Sequence, residues 1–107
     1  MIDIKKLKEE TGANIIVHAD KKGNIIGSSN TMYANNFALM AEASFSMCND
    51  LLKDIAGSDL KQLIAKSDKD YFIATKLEES NSILLIMSDN LTRFGLLLKY
   101  MNSIENK

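Results

Sequence analysis

Apolar residues recur at helical spacing over one long segment, residues 31–56, which predicts a helix of about seven turns. One wide stripe of this helix is predicted to pack on a sheet. Its members are Tyr33, Phe37, Ala41, Phe45, Cys48, Leu51, Leu52 and Ile55. A second apolar set lies to one side of the stripe and comprises Met32, Leu39, Met40, Ala43 and Met47. Because a small domain offers this helix a single sheet to cover, the second set predicts a further partner.

The segments on either side of the long helix have the patterns of short helices, strands and turns. An opening helix is predicted to end at Gly12, and Gly23 lies in the turn of a predicted hairpin. Gly57 is predicted to end the long helix, whose candidate N-caps are Ser28, Ser29, Asn30 and Thr31. Strands are predicted over residues 13–19, 25–28, 60–66, 71–77 and 82–88, and a closing helix over residues 91–104, capped by Asp89 and Asn90.

The order of these elements predicts the fold class. It runs helix, strand, strand, helix, strand, strand, strand, helix, with no proline and no linker. Residues 82–88 are apolar at nearly every position, which is typical of a central strand covered on both faces. We therefore predict an α+β protein of three layers, α/β/α, with a five-stranded antiparallel sheet. The length favours a single domain over residues 1–107.

Composition argues against several classes of function. Thirteen basic residues against fourteen acidic ones give a net charge of −1, and Arg93 is the only arginine, so a nucleic-acid surface is not expected. Cys48 is the only cysteine and lies on the predicted core stripe, where it would pack as a small hydrophobic residue. A single cysteine cannot form an intramolecular disulfide, which favours a reducing compartment. No apolar run is long enough to span a bilayer or resembles a signal peptide. We expect a cytoplasmic protein that does not insert into membranes.

No set of residues in the sequence has the spacing of a catalytic, metal or cofactor site. A lone histidine lacks further ligands, a mid-helix cysteine lacks a base, and acid pairs on polar turns are typical of solvated charge. These residues are His18, Cys48, Asp68 with Asp70, and Glu78 with Glu79. Gly23 and Gly27 lack the Lys-Ser/Thr of a phosphate loop. Arg93 is the one residue able to act as an arginine finger, but a surface charge on the last helix is the favoured interpretation. We predict no enzyme, no metal and no cofactor.

Three segments resemble the roadblock / dynein light-chain family. Residues 14–29 are similar to that family's apolar strand, Asp-x-x-Gly turn, apolar pair and small residues. The long helix is rich in alanine, serine, methionine and phenylalanine, and residues 83–98 are similar to the last strand and the glycine-containing final helix. The resemblance implies a homodimer, or a heterodimer with a sibling, in which the middle helices pack together and the third strands pair. It also implies a platform for Ras-like GTPases, as in the bacterial gliding-motility regulators, or a scaffold.

Together these observations predict a non-catalytic dimeric module that regulates or scaffolds a small Ras-like GTPase. The predicted interface lies on the long helix and the third strand, at Met32, Asn36, Leu39, Met40, Ala43, Met47, Leu60, Gln62 and Ile64. The alternative is a small-molecule sensor domain of the profilin-like or PAS-like kind. Such a domain needs polar groups that converge on a pocket, and the candidates are Tyr71, Ser88 and His18.

Overall fold

The computed structural model describes residues 2–29 and 32–104. Within them the chain forms three α-helices and five strands. The predicted bounds of the second, fourth and fifth strands agree with those found. The elements in chain order are α1 (Ile4–Thr11), β1 (Ile15–Asp20), β2 (Ile25–Ser28), α2 (Ala34–Ala56), β3 (Gln62–Lys66), β4 (Tyr71–Leu77), β5 (Ser82–Ser88) and, after a 3₁₀ turn over Leu91–Arg93, α3 (Phe94–Ser103).

The five strands form one sheet in the order β2-β1-β5-β4-β3, and all neighbouring pairs are antiparallel. The last strand therefore lies between the two hairpins, β1–β2 and β3–β4. This central place matches the continuous apolar run of β5, which is buried at six of its seven positions. The predicted α+β class with a five-stranded antiparallel sheet is confirmed.

Helices cover both faces of the sheet, so the protein has three layers. On one face α1 and α3 pack on a core that contains Leu7, Ile16, Tyr71, Ile73, Leu84, Ile86, Leu97 and Met101. On the other face α2 packs on a core that contains Val17, Ala19, Ala38, Ala41, Phe45, Ala74, Ile83 and Leu85. Alternate residues of β1 and β5 enter opposite cores, as the two-residue period of a strand requires.

Arg93 connects the end of α1 to the start of α3. Its Nη1 donates a hydrogen bond to the carbonyl oxygen of Thr11 at 3.0 Å. Gly12 ends α1 with a φ of 70°, and a Cβ at this position would lie 2.7 Å from the same guanidinium nitrogen. The positive φ favours glycine here, and the arginine side chain would have to shift to admit a Cβ. The guanidinium lies at the C-terminus of α1, where a positive charge is favourable.

The long helix begins later than predicted. Tyr33 takes the position before its first residue, Ala34, and makes no side-chain capping bond. Asn30 and Thr31, two of the candidate caps, lie outside the described residues. Ser28 belongs to β2, and the Ser29 hydroxyl accepts a hydrogen bond from the backbone N–H of Ile16 at 2.9 Å. The cap prediction is therefore wrong for Ser28 and Ser29, because both serve the hairpin.

Other element ends also differ from the prediction. β1 begins at Ile15 instead of residue 13, and β3 begins at Gln62 instead of residue 60. Leu60 is not in the strand because its backbone N–H donates to Asn49 Oδ1 on α2, at 2.7 Å. The closing helix opens with a 3₁₀ turn, which Asn90 caps by accepting from the Thr92 backbone N–H, as predicted. In the described part of the chain, no helix has the length and apolarity needed to cross a membrane.

Candidate interaction surface on the long helix

The half of α2 that packs closely on the sheet is its N-terminal half. Its buried residues are Ala34, Ala38, Ala41 and Phe45, and every residue of the helix after Phe45 is half-buried or exposed. Three alanines in this row let the helix backbone approach the strands closely. The helix has 23 residues and is about 34 Å long, and its last three turns, after Phe45, extend beyond this close contact with the sheet.

The predicted core stripe is therefore wrong at both ends of the helix. Leu51 is 60% exposed and Ile55 is 75% exposed, and Tyr33 is also exposed. Phe37, Cys48 and Leu52 are only half-buried. Tyr33 and Leu51 lie about 120° around the helix axis from the buried Phe45, so the predicted stripe is too wide, whereas Ile55 lies closer in angle to Phe45 but three turns beyond it.

The exposed apolar residues of α2 form a ridge along the helix. Met40 and Met47 are 64% and 73% exposed, and they align with Leu51 and Ile55 at spacings of seven, eleven and fifteen residues. Such positions fall within about 80° of one another around the helix axis. We call these four residues, Met40, Met47, Leu51 and Ile55, the α2 ridge. An exposed row of this size is typical of an interaction site.

An apolar groove lies beside the ridge, between α2 and the sheet. Its volume is about 210 Å³, and Ser44 contributes the only polar side chain among its described walls. The residues that line it, which we call the α2 groove, are Ile15, Phe37, Met40, Ala41, Ser44, Phe72, Leu85 and Met87. Met40 belongs to both the ridge and the groove, so the two form one continuous apolar surface.

The predicted helix residues of the interface do not all lie on this surface. Met32, Asn36, Leu39 and Ala43 are exposed, as are Met40 and Met47. Leu39, however, lies about 100° around the helix from Met40 and packs against Gly23 in the β1–β2 turn. The structure brings Met40 and Met47 together with Leu51 and Ile55, which the sequence interpretation had assigned to the core.

The predicted strand residues lie at one edge of the sheet. β3 pairs with β4 on one side only, so its other side presents backbone groups without a partner strand in the described chain. Ile64, the middle residue of β3, is exposed. The Gln62 amide donates to Thr75 Oγ1 at 3.0 Å and to Asn102 Oδ1 at 2.9 Å, which fixes the strand to α3. Leu60 is half-buried and lies before the strand.

The fold is similar to several solved structures, although no protein-family model and no curated protein sequence matches the chain. Myxococcus xanthus MglB aligns with a TM-score of 0.77 at 18% identity, over 94% of this chain and 87% of that one. The gliding protein MglB of Thermus thermophilus aligns with a TM-score of 0.76 at 14% identity, over 95% and 82%. A roadblock/LC7 domain from Streptomyces avermitilis aligns with a TM-score of 0.74 at 13% identity, over 97% and 95%. The chain has the roadblock/LC7 fold. The resemblance found in the sequence is confirmed at the level of the fold.

The three residues proposed for a sensor pocket do not converge in this roadblock/LC7 fold. Tyr71 and Ser88 are cross-strand neighbours, and both contact Asn90: the tyrosine hydroxyl donates to its carbonyl, and the serine hydroxyl accepts from its N–H. His18 lies on β1 and its Nε2 is 2.8 Å from Ser82 Oγ, at the other end of β5. The sensor arrangement built on these residues is therefore wrong.

His18 has the chemistry of a buried core histidine. It is almost fully buried, and burial lowers the pKa of its imidazole from the ordinary value of 6.5 because the charged form loses solvation. Ser82 Oγ also lies 2.6 Å from Ser80 Oγ, so a short chain of hydrogen bonds ends at the surface. Within residues 2–29 and 32–104, no three His, Cys, Asp or Glu side chains are grouped as metal ligands would be.

The acid pairs on the turns are exposed to solvent. Asp68 and Asp70 lie in the β3–β4 turn, where the Asp70 backbone, not its carboxylate, bonds to Ser67. Glu78 forms an ion pair with Lys61 at 2.6 Å, and this hydrogen bond lowers the pKa of the Glu78 carboxyl. Neither pair has the contrast between a buried and a solvated carboxyl that general acid–base catalysis uses.

Proposed function

We propose that this chain is a non-catalytic interaction module that dimerises through α2 and β3 and regulates or scaffolds a small Ras-like GTPase in the cytoplasm. The observation that carries the proposal is the continuous apolar surface formed by the α2 ridge and the α2 groove. Exposure of such a surface to water is unfavourable by roughly 25 cal/mol per Å² of apolar area. A second copy of the same surface provides matching apolar cover.

Two-fold symmetry suits the shape of this surface. In a symmetric dimer the same patch of each subunit forms both halves of the contact. The ridge of one subunit would lie beside the ridge of its partner and over the partner's groove. Met47 lies near the middle of the ridge, so it would approach the symmetry axis together with its counterpart. Stable interfaces bury about 1,200–2,000 Å² in total. We expect the two ridges, the two grooves and the contact between the β3 strands to contribute together to a buried area of this order.

The free edge of β3 supports the same symmetry. Antiparallel pairing about an axis through Ile64 would extend the sheet from one subunit into the next, and would satisfy the backbone groups that the edge leaves unpaired. This register would set Gln62 opposite Lys66 of the partner subunit, so like charges would not face each other. A sibling chain with the same fold could take the place of the second copy.

The GTPase assignment rests on the likeness to MglB and on the face of α2 that dimerisation would leave open. This face points away from the sheet and borders the ridge, and its exposed residues include Ala43 and Asp50, at about 40° and 60° around the helix axis from Met47. It presents a small side chain at one position and a carboxylate at the other. The Arg93 guanidinium is hydrogen-bonded to the Thr11 carbonyl oxygen of its own chain. We therefore expect any effect on GTP hydrolysis to come from repositioning groups of the GTPase itself.

The first experiment is the solution mass by light scattering for the wild type, Met47→Asp and a matched control, Leu96→Asp. Leu96 is an exposed leucine on α3, on the opposite face of the sheet. We expect twice the 11.9 kDa chain mass for the wild type and the control, and the single-chain mass for Met47→Asp. A wild-type monomer, or a Met47→Asp dimer, would remove the proposed self-interface.

The second experiment tests the GTPase. Small Ras-like GTPases of the same organism, loaded with GDP or a non-hydrolysable GTP analogue, are titrated with the wild type and with Asp50→Lys. We expect one GTPase to bind in a nucleotide-dependent way, and Asp50→Lys to weaken that binding without changing the dimer mass. Absence of binding by every GTPase in both nucleotide states would contradict this part of the proposal.

A further inference from the structure

A second cleft lies on the flank of α2 opposite the ridge. It has a volume of about 200 Å³ and is bounded by α2, the β1–β2 turn, and the adjoining ends of β4 and β5. The residues that line it, which we call the polar cleft, are Lys21, Glu42, Phe45, Ser46, Asn49, Lys76, Asn81, Ser82 and Ile83. Glu42 lies about 160° around the helix from Met40, so the polar cleft is separate from the proposed dimer surface.

Three charged side chains in the polar cleft come from three different elements. Lys21 lies in the β1–β2 turn, Glu42 on α2 and Lys76 on β4. The ion pairs of the described chain are made elsewhere, and none of these three residues approaches an opposite charge within 4 Å among the described residues. Lys76 also lies near Glu78, whose carboxyl pKa it helps to lower, but among the described residues the three charges of the cleft form no ion pair with one another.

The rest of the cleft offers hydrogen-bonding groups above an apolar base. Phe45 and Ile83 are buried and belong to the core under α2. The Asn49 side-chain carbonyl already accepts from the Leu60 N–H, which leaves its amide N–H groups as donors. Ser46 is exposed and adds a hydroxyl next to Phe45 along the helix. A few polar groups around an apolar base are typical of small-molecule sites.

We propose that the polar cleft binds a small zwitterion of the α-amino-acid class. The carboxylate of the ligand lies between Lys21 and Lys76, and its ammonium group lies at Glu42. A simple anion is disfavoured because Glu42 repels it, and a simple cation is disfavoured by the two lysines. The cleft volume of about 200 Å³ suits a ligand of the size of an amino acid.

The test is binding of free amino acids to the full chain, measured by saturation-transfer NMR with millimolar mixtures of the proteinogenic amino acids and then by titration of each that binds. We expect at least one to bind the wild type. Its N-acetyl derivative, which lacks the ammonium charge, and its amide, which lacks the carboxylate, should each bind about tenfold more weakly or worse, because each loses a hydrogen bond to a charged group.

The matched variants are Glu42→Gln and Lys76→Gln in the cleft, and Lys99→Gln on α3 outside it. All three exchange a charge for an amide on a surface-accessible side chain, and circular dichroism confirms folding. We expect the two cleft variants to lose about tenfold in affinity and Lys99→Gln to bind as the wild type does. No binding to the wild type, binding of inorganic phosphate alone, or unchanged affinity in Glu42→Gln would overturn the proposal. The dimer mass is measured on the same samples, so failure of the dimer would be seen separately.

Discussion

Leu39 on α2 packs directly on Gly23 in the turn between β1 and β2. A Cβ at position 23 would lie 2.6 Å from Leu39 Cδ2 and 3.4 Å from its Cα. Gly23 also has a φ of 84°, a conformation that other residues rarely adopt. The β1–β2 turn therefore packs closely against α2 because residue 23 has no side chain.

Replacement of Gly23 by alanine should destabilise the fold. We expect Gly23→Ala to lose about 1–3 kcal/mol of unfolding free energy, from the left-handed backbone and the contact with Leu39 together. Urea denaturation measures the loss. Gly95→Ala is the control, because no atom lies within 4 Å of its added Cβ and alanine suits a helix. Equal stability of the wild type and Gly23→Ala would show that the turn moves freely away from α2.

Stability should decrease as the pH falls through the titration of His18. The folded-state pKa of this imidazole lies below its unfolded value of 6.5, so the unfolded chain binds the proton more tightly. The contribution of neutral His18 is complete above pH 6.5 and is lost as the pH falls toward the folded pKa. We expect urea denaturation from about pH 7 to about pH 5 to show a slope that is reduced in His18→Gln. Parallel slopes for the two proteins would assign the loss to other groups.

Loss of the Arg93 guanidinium should affect stability and leave partner binding unchanged. The hydrogen bond to Thr11 is partly exposed, so we expect Arg93→Ala to cost about 1 kcal/mol of unfolding free energy. Arg93→Lys should recover only part of this, because an ammonium group does not reproduce the fork of the guanidinium. If Arg93→Ala abolished an effect on GTP hydrolysis while the dimer and the fold stayed intact, Arg93 would act on the GTPase directly.

A charge on the middle of β3 should weaken the proposed dimer. Ile64→Lys would bring two like charges together at the two-fold axis, whereas in a separate chain the side chain is already partly solvated. We expect the dissociation constant, measured by analytical ultracentrifugation, to rise about tenfold or more while the separate chain stays folded. Leu91→Lys, at an exposed leucine in the turn before α3, is the control. A dissociation constant unchanged in Ile64→Lys would place the β3 edge outside the interface.

The sequence predicts the elements whose residue pattern is local. It does not predict features that depend on how another element packs against them. β4 and β5 were bounded correctly because turn residues flank runs of strand-forming residues. Leu51 is misplaced because the predicted stripe is too wide around the helix, and Ile55 because its burial depends on how far the close contact with the sheet extends along the helix. The α2 groove joins Ile15, Phe72 and Met87, which become neighbours only because β5 lies between β1 and β4. No spacing along the chain reveals that order.

The position of β5 has a consequence for how the protein folds. Ile15 of β1 pairs with Met87, and Tyr71 of β4 pairs with Ser88, so one late segment joins the β1–β2 hairpin, made much earlier, to the β3–β4 hairpin that directly precedes it. Closing a loop of this length costs conformational entropy before the contact is gained, which slows folding. During synthesis, neither core can close until residues 82–88 have left the ribosome. A chain released before that point would carry two unjoined hairpins, each with an open edge and an apolar face.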